Sequence, residues 1–122
     1  MATISVTDGP YILSYRPTVG DTLSRSITFY EGSPLALADV SGDTFQMIVE
    51  YQDTKEIVHD LTIGDGIAFV DDNTIRWTLT AAETADWVPP RQMTYAIIRT
   101  KADGSVRTFQ AGNITPQKFK TN

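Results

Sequence analysis

His59 is the only histidine in this 122-residue chain, and there is no cysteine. Nucleophilic chemistry of the Ser-His-Asp or Cys-His kind would have to run through that one imidazole. No Gly-x-Ser-x-Gly elbow surrounds any serine. His59 itself falls inside a strand-like run, where an edge or partly exposed histidine is the commoner role. Two carboxylates suffice for glycoside hydrolysis, but Asp60, Asp65 and Asp71-Asp72 stand in or beside turns, where Asp serves the backbone. None has the apolar sequence context that would raise its pKa for general-acid work. The same loops carry oxygen ligands, yet nothing matches the Asp-x-Asp-x-Asp-Gly spacing of a calcium loop. Gly64-Asp65-Gly66 lacks the Lys-Ser/Thr of a phosphate loop and the strand-to-long-helix setting of a dinucleotide site. These residues point to no enzyme, no metal site and no cofactor.

Aromatic residues are better candidates, as contact groups rather than reagents. Tyr11, Tyr15, Tyr30 and Phe119 stand in weakly protected contexts. Trp87 sits just before Pro89-Pro90, placed either to cap a sheet edge or to lie exposed. Exposed rings are favoured at protein interfaces and on sugar-stacking platforms. Packing is the commoner state for Trp87, and Trp77, on the apolar face of its strand, reads as core. Tyr11, Tyr15 and Trp87 are the candidate interface residues.

The elements that must position them fit one domain with one core. Hydrophobic residues make up 41% and charged residues 20% of the chain, a globular balance. No apolar run approaches the roughly 18 residues of a membrane span. The N-terminus lacks the basic and apolar regions of a signal peptide, so folding in a cytosol is expected. A net charge of −5 argues against nucleic acid, whose binding depends on Lys and Arg at phosphates.

Most of the chain reads as short strands of period two. Asp21–Tyr30 puts Leu23, Arg25, Ile27 and Phe29 on one face. Thr44–Tyr51 does the same with Phe45, Met47, Val49 and Tyr51, and Thr74–Thr80 with Ile75, Trp77 and Leu79. Further strands are expected at Leu35–Leu37, Glu56–His59, Ile67–Val70, Met93–Thr100 and Val106–Gly112. Asp71-Asp72-Asn73 and Asp103-Gly104 read as hairpin turns. Only one segment reads as a helix: Thr80 is an N-cap with Glu83 completing a capping box, and Pro89-Pro90 stops it. The fold class expected is all-β, an antiparallel immunoglobulin-like β-sandwich with one short helical crossover; an open barrel is the alternative. Residues 1–18 are expected to form an N-terminal arm, 19–115 the sandwich, and 116–122 a flexible polar tail. The arm would pair with a sheet edge or reach a neighbouring subunit.

Several turn and cap residues recur in a known order. Gly20-Asp21 precedes the first long strand, Asp39-Val40-Ser41-Gly42 forms a loop, and Leu79–Ala85 forms the helix. Tyr95 and Ile97 then lead to the Asp103-Gly104 hairpin, which ends in Gly112 and Ile114. Over residues 19–115 this order resembles small β-sandwich domains of tailed-phage structural proteins, among them the N-terminal domain of upper baseplate proteins. Arg91-Gln92 stands where that pattern has a Gly. The resemblance implies a virion component assembled in the host cytoplasm, with no catalytic residues and no cofactor. It implies other virion proteins as partners, in a homo-oligomer or a larger symmetric assembly. The chain lacks the trimerising helix and receptor-binding region of an upper baseplate protein, so a tail, baseplate, neck or head accessory role is expected. The alternative is a carbohydrate-binding module stacking host-surface glycans on its exposed aromatics.

Overall fold

The computed structural model describes residues 2–5, 11–32, 34–89 and 91–118. Val6, Gly9-Pro10, Phe119 and the end of the expected tail lie outside them. The strands are β1 (Ala2–Ser5), β2 (Tyr11–Ile12), β3 (Leu23–Glu31), β4 (Ala36–Leu37) and β5 (Thr44–Tyr51). They continue as β6 (Ile57–Ile63), β7 (Gly66–Asp71), β8 (Thr74–Leu79), β9 (Met93–Thr100) and β10 (Val106–Ile114), with helix α1 (Ala81–Thr84) between β8 and β9. The alternation that marks these strands is also their burial pattern. In β9, Met93, Tyr95, Ile97 and Arg99 are buried while the residues between them are half-buried.

The strands join in the order β1-β3-β8-β7-β6-β5-β9-β10-β2, with β4 on β3. This is an all-β fold, as expected, but the sheet is mixed rather than wholly antiparallel. Among the described residues, β1 runs parallel to β3, β2 to β10, and β6 to β7. Two of these three pairings come from residues 2–5 and 11–12, which attach to the strand margins at β3 and β10. The β6–β7 link spans two residue pairs, Thr62↔Gly66 and Ile63↔Ile67. There Gly64 and Gly66 take φ of 88° and 96°, and a Cβ on Gly66 would meet the Leu61 side chain at 2.6 Å. Glycine is what lets the chain bend at this point.

Beyond that bend the sheet curls over on itself. Phe29 of β3 lies 5.4 Å from Phe45 of β5 and 4.9 Å from Phe109 of β10, ring centroid to centroid. Those strands are well separated along the sheet, so the contacts close a single core. Trp77, Ile27, Met47 and Ile97 are wholly buried within it.

Helix α1 carries the chain from β8 to β9 and is fixed at its start by the expected capping box. The Thr80 Oγ1 accepts from the Glu83 amide at 3.2 Å, and Glu83 Oε1 accepts from the Thr80 amide at 2.9 Å. Thr84, fully buried, then ties the helix to the start of β3. Its hydroxyl accepts from the Gly20 amide at 3.1 Å and donates to the Asp21 carbonyl at 2.8 Å.

Candidate interaction surfaces

The three aromatic candidates have different fates. Tyr11 is 47% exposed on the outermost strand, β2. Tyr15 is 8% exposed and Trp87 3%, so both pack in the core of this chain, which is the commoner state named for Trp87 but not the weakly protected setting expected of Tyr15. Tyr15 meets Trp77 edge-on at 5.5 Å. Gln110 Nε2 donates to the hydroxyls of Tyr95 and Tyr15 at 2.8 and 3.2 Å. Burial raises the pKa of both phenols, and the Tyr95 hydroxyl donates to the Leu13 carbonyl. Within the expected arm the last residues are anchored: Leu13 and Tyr15, with Val19 after them, pack on the core, and residues 13–19 hydrogen-bond along residues 111–117.

Trp87 is held by the lone histidine. Its indole N–H donates to His59 Nε2 at 2.9 Å, while Glu83 Oε2 lies 3.7 Å from Nδ1. The pair borders an open groove of about 350 Å³, also lined by Tyr51, Val58, Ala82 and Asp86. The Nε2 lone pair that a general base would use is occupied by the indole. Neutral His59 must then carry its proton on Nδ1, facing Glu83. Burial lowers the His59 pKa from 6.5, countered in part by Glu83 and Asp86. Among the described residues, no group of three or more His, Cys, Asp or Glu is placed to hold a metal ion.

Protonated His59 cannot accept from Trp87. The folded protein binds this proton less readily than the unfolded chain, so the stability it contributes is complete above pH 6.5. That contribution is lost as pH falls through the folded value. We expect the melting temperature to decline below neutrality and the Trp87 indole N–H resonance to move with it. His59→Gln, which keeps an acceptor but cannot titrate, should flatten the decline. A Trp87 resonance indifferent to pH across this window would refute the assignment.

The outer face of the β6-β5-β9-β10 region has the opposite character, being nearly uncharged. Register sets its rows. Asp60, Ile48, Ala96, Ala111 and Ile12 line up across five strands. On one side lies the row Thr62, Gln46, Ile98 and Thr108, and beyond it Thr44, Thr100 and Val106. On the other side are Ile57, Glu50, Thr94 and Asn113. Charge is confined to Asp60 and Glu50, at the β6–β5 margin, and Gln46 Nε2 donates to Asp60 at 2.8 Å. Ile12 and Val106 are 67% and 66% exposed. Alternation alone announces this face, since its residues are the even-numbered partners of the core residues in β5 and β9.

Neither a family model nor a curated protein matches the sequence. Among solved structures, the N-terminal domain of phage TP901-1 ORF48 matches over 95% of this chain and 95% of that one. The TM-score is 0.50 and the sequence identity 10%. The chain has the fold of a phage domain.

That fold gives the motif residues their reasons. Gly20-Asp21 supplies the two backbone groups bonded by Thr84. Asp39 Oδ1 accepts from the amide and hydroxyl of Ser41 at 3.0 and 2.7 Å. Asp103 does the same for Ser105 at 2.9 and 2.6 Å, beside Gly104 at φ 91°. These bonds hold turns in place.

Proposed function

We propose that this chain is a structural protein of a bacteriophage virion, working through protein–protein contact and without catalysis. The observation that carries the reading is the phage-domain fold, matched along nearly the whole length of both chains. The near-neutral sheet face supports it, because a surface with charge at only one margin suits contact with another protein. So does the state of His59, whose basic nitrogen is committed to packing a tryptophan. Its partners are other virion proteins, its place is the tail, baseplate, neck or head accessory apparatus, and assembly takes place in the host cytoplasm.

The glycan-binding alternative draws less support. It needs exposed rings, and of the three candidate aromatics only Tyr11 presents one. The deciding experiment is to purify virions from the host and identify their proteins by mass spectrometry. Detection at a fixed ratio to the other tail or head proteins is expected. Persistent absence from virions made while the protein is expressed would end the proposal.

A further inference from the structure

We infer that the near-neutral outer face of β5, β9 and β10 binds a second copy of this chain, about a two-fold axis running parallel to β9. The inference deepens the contact reading above by naming a partner. The positions in these rows, on strands about 4.8 Å apart with alternate residues about 6.8 Å apart, make a patch of about 520 Å². Stable interfaces bury about 600–1,000 Å² on each partner, so the face falls just below that range and suits a weak, concentration-dependent dimer. The whole chain carries a charge of −5, which opposes self-association wherever acidic groups meet. On this face they sit at one margin only.

That margin selects the symmetry. An axis perpendicular to the strands would lay β5 and β6 of one copy over β5 and β6 of the other, gathering all four carboxylates along one side of the contact. An axis parallel to β9 exchanges β5 with β10 and β6 with β2, at the same level along the strands. Glu50 of one copy then faces Asn113 of the other, whose amide can donate to a carboxylate. Asp60, already bonded to Gln46, falls at the rim beside Ile12.

Shape agrees with charge. Thr44, Gln46, Thr62, Ile98 and Thr100 line a depression of about 360 Å³ at the β6-β5-β9 side of the face. Val106 is exposed on β10 in the row of Thr100 and Thr44. The same axis carries Val106 of one copy over the depression of its partner, twice per dimer. A protruding apolar side chain and a matching hollow on one surface are what an isologous contact requires.

Light scattering during size exclusion tests this across the micromolar range. A concentration-dependent dimer is expected. Val106→Glu, on an exposed position, should leave the thermal melt unchanged and give the monomer mass. Asn113→Asp should raise the dissociation constant about tenfold by opposing Glu50, and Asn113→Lys should lower it. A monomer at every concentration would overturn the inference. So would a dimer unaffected by Val106→Glu, or equal responses to Asp and Lys at position 113. A monomer that is nonetheless present in virions would overturn the dimer and leave the virion reading standing.

Discussion

Asp43→Ala should cost about 3–5 kcal/mol of stability, the toll of leaving one member of a buried ion pair alone. Asp43 and Arg99 are 9% and 5% exposed and bond side chain to side chain. Asp43 Oδ1 also accepts from the Ala102 amide at 3.2 Å, fastening the β9–β10 turn to the end of β5. The Arg99 guanidinium lies 5.6 Å from the Phe29 ring centre, beside the aromatic cluster. Without Asp43 its charge has no acceptor and little water. For a domain of this size the melting temperature should fall by about 4 °C for each kcal/mol. Asp43→Leu combined with Arg99→Met should recover most of the loss, because matched apolar residues do not carry the desolvation cost. The Arg91–Asp53 pair is a control: its side chains are 36% and 64% exposed, and Asp53→Ala should leave the melting temperature almost unchanged. Equal losses at Asp43 and Asp53 would show that burial does not set the value of the pair.

Gly112→Ala should be nearly as damaging, although it adds one methyl group. A Cβ at this position would stand 2.1 Å from the Leu13 carbonyl oxygen and 3.3 Å from Tyr95 Cε1. Backbone atoms are in the way, and they are anchored. The Leu13 amide donates to Ala111 at 3.0 Å, and the Leu13 carbonyl accepts from the Tyr95 hydroxyl. The methyl must push this segment off the sheet and draw Tyr15 away from Trp77. A loss of about 3–5 kcal/mol is expected, the scale of deleting a buried aromatic ring. Near-UV circular dichroism should report the disturbed rings, and amide exchange should quicken at Leu13 and Tyr15 first. An alanine variant with wild-type melting and exchange would mean that the segment is not held where the packing puts it.

What could be read from the sequence was whatever depends on neighbours along the chain. The alternation of β5 and β9, the Thr80–Glu83 box and the Asp-Gly turn each involve residues within a few positions of one another, and each has its expected form. How Tyr15 and Trp87 are buried was not legible because their partners are remote: Trp77 and Gln110 for one, His59 for the other. Gly112 was legible as the end of a hairpin, but its reason is a carbonyl 99 residues earlier in the chain. Parallel pairing at the strand margins leaves no turn motif to announce it. An arginine in the inward row of Met93, Tyr95 and Ile97 was the one available signal for the buried ion pair.

The pairing of residues 13–19 with residues 111–117 sets the order in which this molecule can be built. Tyr15 bridges to Ile114 and Thr18 to Gln117, so Tyr15, ahead of β3 in the chain, waits for the end of β10. On the ribosome, β3 to β8 can emerge and pair while the ring of Tyr15 has no Tyr95 or Gln110 to meet. Closing so long a loop is slow, and it comes after most of the surface is already in place. Until then, Trp77 and the underside of β10 remain open to solvent and to other chains. The protein thus becomes safe from misassembly only once residues 110–117 have been made.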